Sequence, residues 1–546
     1  MKVLTLLATQ LVALAAAVAA TSPRFVMYHD EWHPTRPTNP SDRAVITHLI
    51  LAFAQANNTA AYKPHVSIST LRDEYPSAKL SIAIGGWGDT IGFTESTKSQ
   101  AGIDKFANDI KTLVATTGVD GIDIDWEYPG GNGADYKQVP NSAKVHEIGA
   151  FPKLLQAIRE AIGKDKILSI AVPGKKGDMI AFTKETGPLI WPSVDHVNIM
   201  SYDLMNRRDA VTSHHTSVAG AAQAVQNYLD IGAPPSKINL GFAYYAKYFT
   251  TTGDCTASPL NCQIAIAEDP ITGADTLTSG AWTFEKAHMQ AVNGSALPVS
   301  TDGTCGADKG TRCASGCCSQ YGNCGTSKEH CSGACQHAFG TGCTDADIAG
   351  SWQNAASNGV TDTEAGGQYY FDAANKLFWT WDTKELIARK FQDVVAKYGL
   401  GGVMAWSLGE DSNDWSHIRA MTEGLKTING IAPPQANAAS KDKTETKTQV
   451  ATKPTPASNQ PGKTTYDVVY VDGIGGPEAE ESVIPAPKVN PTSSLTSSKP
   501  KNAVGKPVVK VSNAEPGPND DWEWVYYDSK GRLWQDNKKR MRIERA

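Results

Sequence analysis

The chain has 546 residues, which is too long for one compact domain and long enough for a large core with appended segments. Its 51 Lys and Arg residues nearly balance its 57 Asp and Glu residues. This balance argues against a nucleic-acid partner, whereas binding to a neutral polymer would require no strong charge of either sign.

The first twenty residues are typical of a secretion signal. Lys2 supplies a positive start, an apolar run extends from Leu4 to Val18, and Val18-Ala19-Ala20 offers a small-residue cleavage site. The alternative is a membrane anchor, but the run is short for a bilayer span. We therefore expect a secreted, extracellular protein whose mature part begins near residue 21 and which does not contact a membrane.

Eight short apolar runs, most of them separated by helix-like segments, recur between residues 24 and 408. The predicted strands are Arg24–Asp30, Thr47–Gln55, Lys79–Trp87, Val119–Tyr128, Ile167–Gly174, His196–Asp203, Lys237–Tyr245 and Gly401–Leu408. This alternation predicts an α/β fold, a (β/α)8 TIM barrel within residues 21–430. An open doubly wound sheet is disfavoured because no glycine-rich phosphate loop follows the first strand.

The fourth predicted strand carries the strongest chemical signal, the sequence DGIDIDWEY at residues 120–128. Alternate side chains of a strand share a face, so Asp123, Asp125 and Glu127 point one way and the apolar residues between them point the other. Glu127 is nearest to the C-terminal mouth, where barrel active sites lie. Stacked carboxylates raise one another's pKa, and a protonated glutamic acid is what a glycosidase needs to protonate a leaving oxygen.

The alternatives for this strand are a metal site and a solvent-facing surface. A hard metal ion needs more oxygen ligands than one strand supplies. Solvent exposure would leave the hydrophobic alternate face unexplained. We therefore predict a catalytic strand that uses no metal and no other cofactor.

All ten cysteines lie between Cys255 and Cys343, in an interruption of about 130 residues between the seventh and eighth predicted strands. In an oxidising compartment such a cluster predicts disulfides rather than a zinc site. We expect a small, disulfide-rich module inserted into a loop of the barrel.

The composition changes after about Gly430. Residues 431–515 are rich in Pro, Ser, Thr, Lys and Ala, which predicts a largely disordered linker. Residues 516–546 form a short aromatic and basic segment of unknown role. Its stretch Trp522–Trp534 could fold into a hairpin that contacts sugar through Trp522 and Trp524. The alternative is an aromatic tail that associates non-specifically.

The motif DGIDIDWE resembles the D-x-x-D-x-D-x-E signature of family-18 glycoside hydrolases. Three further motifs agree in order: AIGGW at residues 83–87, MSYD at residues 200–203 and MAWS at residues 404–407. The resemblance extends over residues 24–430 without the insertion. It implies a chitinase that cleaves β-1,4-linked N-acetylglucosamine polymers.

The resemblance also implies substrate-assisted retention, in which no protein carboxylate attacks the sugar. Glu127 would protonate the glycosidic oxygen while the substrate's acetamido carbonyl attacks the anomeric carbon, and would then act as base on water. Asp125 would orient the acetamido N–H, and Asp123 would share a proton with Asp125. Tyr202 would hydrogen-bond the acetamido oxygen.

Further substrate-binding residues follow from the same resemblance. Asp203 would contact the same sugar, with Met200 beside it, and Trp406 would form an apolar floor. Tyr28 and Trp87 would line the cleft. Ordinary core packing is the alternative for the three aromatic residues.

Ala83 departs from the family, which usually has a serine there. The missing hydroxyl removes one hydrogen bond expected to stabilise Asp123, worth roughly 1 kcal/mol. We expect an altered pH dependence rather than a loss of activity.

Residues 304–343 resemble hevein-type chitin-binding modules, through the pair Cys317-Cys318 followed by Ser-Gln-Tyr-Gly and a further cysteine. The resemblance implies these disulfides: Cys305–Cys318, Cys313–Cys324, Cys317–Cys331 and Cys335–Cys343, with Cys255–Cys262 as the remaining pair. Ser319 and Tyr321 occupy sugar-binding positions, but Asn323 and His330 replace the other two aromatic rings. We expect either weak chitin binding or a purely structural cystine module.

Two other functions remain open beside a monomeric chitinase acting on chitin and N-acetylglucosamine oligomers. One is an endo-β-N-acetylglucosaminidase acting on N-glycans, for which a chitin-binding module would have little purpose. The other is a non-catalytic chitin lectin on the same barrel. Such lectins usually lack the glutamate or the last aspartate, whereas Glu127 and Asp125 are both present.

Overall fold

The computed structural model describes residues 23–289 and 292–428, and beyond them the backbone of four short strands. The predicted secretion signal therefore lies outside the described residues. Within the described part of the chain, no helix combines the length and the apolar character needed to span a bilayer.

Eight parallel strands close into a barrel, which confirms the predicted fold. They are β1 (Arg24–Asp30), β2 (His48–Ala54), β3 (Lys79–Gly85), β4 (Gly121–Asp125), β5 (Ile167–Pro173), β6 (His196–Met200), β7 (Ile238–Ala243) and β8 (Gly402–Trp406). β1 pairs with both β2 and β8, so the sheet has no free edge.

Helices pack around the outside of these strands. The α-helices of the barrel are Pro40–Ala44, Ile68–Glu74, Ile91–Thr97, Gln100–Thr117, Val145–Ile162, Gly187–Ile190, Val218–Asp230, Lys384–Lys390 and Ser416–Ile428. The helix Gln100–Thr117 shows how local sequence fixes their ends. The Ser99 side chain accepts a hydrogen bond from the Gly102 backbone N–H, and Gly118 ends the helix in a left-handed conformation, with φ of 72°.

The insertion between β7 and β8 contains the predicted disulfide-rich module and, in addition, a sheet that was not predicted from the sequence. It contains a five-stranded antiparallel sheet in the order Val360–Asp362, Gly367–Asp372, Leu377–Trp381, Tyr245–Thr250 and Ser279–Thr283. Trp282, Trp352 and Trp379 form a separate core beneath it. The aromatic residues at positions 378–381 are the clearest sequence feature of this sheet.

Helix Ile348–Asn358 covers this sheet, and the cystine-rich module lies in the segment that precedes the helix. The module contains two short strands, Cys317–Cys318 and Cys324–Gly325, and a short helix, Lys328–Cys331; another short helix, Lys286–Met289, precedes it. Its four disulfides, and the separate pair Cys255–Cys262, join the cysteines as the resemblance implied. Ala334 of the module packs into the tryptophan core of the sheet.

The C-terminal part of the chain is described only as two pairs of short antiparallel strands. Tyr466–Val469 pairs with Val508–Val511, within the segment predicted to be a linker. Tyr526–Tyr527 pairs with Leu533–Trp534, as the hairpin prediction requires. Trp522 and Trp524, the candidate sugar contacts, lie outside the described residues.

Candidate active site

A cleft of about 810 Å³ opens where the carboxyl ends of the barrel strands meet. Residues from several strands and from the insertion line it, among them Tyr28, Phe53, Trp87, Asp125, Glu127, Asp178, Met200, Tyr202, Asp203, Arg208, Lys247 and Trp406. Barrel enzymes bind substrate at this end of the fold because each strand delivers one or two side chains to the same opening.

The acidic side chains of β4 point into the barrel, as their alternation predicted. Asp123 and Asp125 lie on the strand, and Glu127 follows two residues after its end. All three are buried, and Asp125 and Glu127 line the cleft. The isoleucines of β4 and Trp126 belong instead to the core between strands and helices. The result is a column of carboxyl groups that rises from the barrel interior to the cleft.

Asp123, the innermost of the three, accepts hydrogen bonds from three other strands. The donors are the Tyr28 hydroxyl at 2.7 Å, the Ser169 hydroxyl at 2.5 Å and the Asn198 amide at 3.2 Å. Burial raises the pKa of Asp123 to about 6, and these donors oppose that shift. The Ser169 hydroxyl donates a hydrogen bond to Asp123. It thus compensates for the hydroxyl that is absent at Ala83.

Asp125 lies between two other carboxyl groups. Burial and the negative charges of Glu127 and Asp123 raise its pKa well above the usual range. Among the described residues, no hydrogen-bond partner reaches its Oδ1 atom. An unpaired buried acceptor is costly, and it is suited to an N–H donor brought by a ligand.

Glu127 occupies the cleft end of the column. Burial raises the pKa of its carboxyl to about 7, the side chains of Tyr128 and Arg208 oppose the shift, and the charge of Asp203 adds to it. A carboxyl with this pKa is partly protonated near neutral pH, so it can both give and accept a proton.

Asp203 has the opposite electrostatic character. Burial acts to raise its pKa, but Lys247, whose Nζ atom lies 3.1 Å away, the His215 ring, whose Nδ1 atom lies 3.6 Å away, and a hydrogen bond from Tyr245 hold the pKa well below its usual range. The Tyr245 hydroxyl donates to Asp203 at 2.9 Å. Asp203 therefore stays ionised at the pH at which Glu127 is partly protonated.

Tyr202 precedes Asp203 and is buried at the wall of the cleft. Burial and the nearby charges of Asp125 and Glu127 raise the pKa of its hydroxyl well above the usual range. Its hydroxyl group lies 3.8 Å from the Met404 sulfur, a weak contact that leaves it free to donate to a stronger acceptor. Met200, the last residue of β6, lines the same wall.

Aromatic rings surround Trp406 on the side of the cleft formed by β1, β2 and β8. The Phe53 ring stacks on Trp406 with centroids 5.4 Å apart, and Tyr28 lies 5.6 Å from it. Trp32 extends this surface toward solvent and is 62% exposed. Trp87 lies elsewhere in the cleft, with the Arg208 guanidinium 5.2 Å from its ring centre. Flat apolar rings of this kind suit the faces of sugar rings.

A model of the glycosyl hydrolases family 18 matches residues 24–411, and it spans both the barrel and the insertion. The chain belongs to this family. Among its curated relatives is chitotriosidase-1 of Mus musculus, 29% identical over 230 residues, which cover 38% of this chain and 49% of the relative. Chitinase 1 of Aphanocladium album is 29% identical over 205 residues, with 36% and 47% covered.

Another family relative, the oviduct-specific glycoprotein of Mesocricetus auratus, is 26% identical over 259 residues, with 42% of this chain and 37% of the relative covered. The aligned region thus spans about half of these relatives or less. Among solved structures, the group IV chitinase of Ostrinia furnacalis matches with a TM-score of 0.53 at 19% identity, covering 74% of this chain and all of that one. This last likeness shows the fold alone.

Several side chains of this family-18 site were not predicted from the sequence. Ser169 and Asn198 hold Asp123, and Tyr245 and Lys247 hold Asp203. The first two are single polar residues in otherwise apolar strands, a weak sign of a lumen position. Tyr245 was predicted as the last residue of the seventh barrel strand but begins the insertion strand Tyr245–Thr250, and Lys247 lies on that same unpredicted strand.

In the cystine-rich module the two predicted sugar-binding residues differ in accessibility. The Tyr321 ring is 77% exposed and available for stacking. Ser319 is buried, and its hydroxyl accepts a hydrogen bond from the Asn323 backbone N–H at 3.2 Å. His330 lies against Gly325, close enough that a Cβ atom at that glycine would overlap the imidazole ring.

Proposed function

We propose that this family-18 protein is a chitinase that hydrolyses internal β-1,4 bonds of N-acetylglucosamine polymers. The observation that carries the proposal is the Glu127 carboxyl, buried at the cleft end of an acidic column with its pKa raised to about 7. The names of two relatives, a chitotriosidase and a chitinase, support chitin as the substrate class.

The surroundings of Asp125 favour a substrate-assisted mechanism. Its unpaired Oδ1 is an acceptor for the acetamido N–H of a bound sugar, which would turn the acetamido carbonyl toward the anomeric carbon. The Tyr202 hydroxyl, which has only a weak protein partner, would donate to that carbonyl oxygen. Lys247 and Tyr245 contact the Asp203 carboxylate and help to keep it ionised. It is therefore better suited to accept a hydrogen bond from a sugar hydroxyl than to protonate a leaving group.

In this mechanism the acetamido oxygen forms a bond to the anomeric carbon as the glycosidic C–O bond breaks. The proton of Glu127 passes to the departing oxygen, and the resulting Glu127 carboxylate then takes a proton from the water that opens the cyclic intermediate. The configuration at the anomeric carbon is therefore retained. The negative charge shared by Asp125 and Asp123 would stabilise the positive intermediate.

We also propose that the protein is exported and that its module contributes chitin binding. The pattern of residues 1–20 and the five disulfides support export, since disulfides persist in oxidising compartments. The exposed Tyr321 ring supports sugar stacking. With one ring and a buried Ser319, the module alone should bind weakly.

The test is a substrate panel with Glu127→Gln. Wild-type protein should cleave colloidal chitin and N-acetylglucosamine oligomers but not a high-mannose glycoprotein. Glu127→Gln removes the transferable proton. It should lower kcat on the N-acetylglucosamine tetramer by at least about 10³-fold while the binding of oligomers persists. The matched control, Glu160→Gln on an exposed helix face, should retain wild-type activity.

Other outcomes would replace the proposal. Cleavage of the glycoprotein without cleavage of chitin would identify an N-glycan hydrolase. Binding of oligomers with no cleavage of any substrate would identify a lectin. Full activity of Glu127→Gln would refute the role assigned to that residue.

A further inference from the structure

The two ends of the cleft are built differently. One end carries the aromatic surface of Trp32, Phe53 and Trp406, which is open toward solvent. The other end carries charged and polar side chains that follow β5 and β6, together with Asp275 of the insertion. Side-chain contacts join the loops behind this second end to one another.

The loop after β4 and a loop of the insertion meet through two side chains. The Tyr136 hydroxyl donates to the Glu268 carboxylate, and the Gln138 amide donates to the Thr272 carbonyl. These partners are 132 and 134 residues apart in sequence. The contacts therefore connect the barrel loop that follows the catalytic strand to the inserted sheet.

Two arginines from the loop after β6 complete the connection. Arg207 Nε donates to Glu268 at 3.1 Å. The Arg208 guanidinium lies 4.0 Å from the centre of the Tyr136 ring and donates to the Asn132 carbonyl at 2.9 Å. We call Tyr136, Gln138, Glu268, Thr272, Arg207 and Arg208 the bridge.

The bridge is well suited to hold its position. Glu268 is buried and is satisfied by Tyr136 and Arg207, and an Arg–carboxylate hydrogen bond with a shielded acceptor is stronger than a solvated one. Arg208 is held from two directions, by the Tyr136 ring and by the loop carbonyl. Its other side faces Trp87 within the cleft. The lining of this end is thus fixed by contacts made among three separate loops.

We propose that the bridge is a specificity-determining element that limits how many sugar units the cleft accepts on the Arg208 side. This inference rests on the proposed function, because it concerns the length of the same sugar chain. Sugar units on the Trp32 side stack on open rings, whereas those on the Arg208 side meet Trp87 beside a tethered, charged wall. The enzyme therefore cuts an oligomer at a preferred distance from one end.

The experiment uses an N-acetylglucosamine hexamer labelled at its reducing end, with initial product lengths measured for each variant. Wild-type protein should give one dominant split. Glu268→Ala combined with Gln138→Ala removes both loop contacts, and the ratio of the dominant split to the next should fall by at least about threefold. The kcat on the N-acetylglucosamine trimer should change less, because neither Glu268 nor Gln138 lines the cleft itself.

Glu74→Ala is the matched control because it removes an Arg–Glu pair, Arg36–Glu74, outside the cleft. It should leave the product ratio unchanged. If thermal unfolding shows the double variant to be unfolded, Tyr136→Phe removes a single oxygen of the bridge and should shift the ratio in the same direction. An unchanged ratio in a folded bridge variant would overturn the inference. A wild-type protein that cleaves no oligomer would instead refute the proposed function.

Discussion

The barrel and the cystine-rich module present their functional side chains in opposite ways. In the barrel, the carboxyl groups of Asp123, Asp125 and Glu127 are buried, and their altered pKa values come from that burial. In the module, the Tyr321 ring is exposed on a backbone held by disulfides. Proton transfer benefits from a shielded carboxyl group, whereas stacking on an insoluble polymer needs an accessible ring. Substitutions in the barrel should therefore lower hydrolysis of soluble oligomers, whereas substitutions in the module should lower activity on insoluble chitin only.

The largest effect after that of Glu127→Gln is expected for Asp125→Asn. The amide cannot carry a share of the negative charge beside the reacting centre and replaces one acceptor oxygen with an N–H₂ donor, so kcat on the N-acetylglucosamine tetramer should fall by about 10²- to 10³-fold. Steady-state kinetics would separate this loss from any change in KM. Asp104→Asn, at an exposed helix position, is the control and should behave as wild type. A loss below about threefold for Asp125→Asn would contradict its place in the mechanism.

The sequence predicted the barrel and the acidic column because both depend on local order along the chain. Strand alternation assigned Asp123 and Glu127 to the lumen, and the structure places them there. The donors to Asp123 were missed since Ser169 and Asn198 come from other strands, and only strand pairing brings them together.

The insertion was only partly predicted for a related reason. Its cysteines predicted a disulfide-rich module. Its antiparallel sheet, however, is assembled from segments on both sides of that module. The strands Tyr245–Thr250 and Leu377–Trp381 are adjacent in the sheet although the whole module separates them in the chain. Long-range pairing of this kind leaves no periodic signal in either segment.

A smaller effect, confined to insoluble substrate, is expected for Tyr321→Ala. Loss of one stacking ring costs about 1 kcal/mol, so the rate on colloidal chitin should fall by about fivefold. The rate on the soluble tetramer should not change, because the barrel residues are untouched. Lys328→Ala, an exposed position in the same module, serves as control. Equal rates of Tyr321→Ala and wild type on colloidal chitin would show that the module is purely structural.

The most direct test of the central claim is the pH dependence of kcat/KM on the soluble tetramer, measured from about pH 4 to about pH 9. Burial raises the pKa of Glu127 to about 7, so the protonated form that donates to the leaving oxygen is lost as pH rises through that value. We predict that kcat/KM falls above about pH 7, approaching tenfold per pH unit. A decline that begins near the ordinary glutamate range, at about pH 4.5, or a rate that stays constant to about pH 9, would contradict a buried Glu127 acting as the acid.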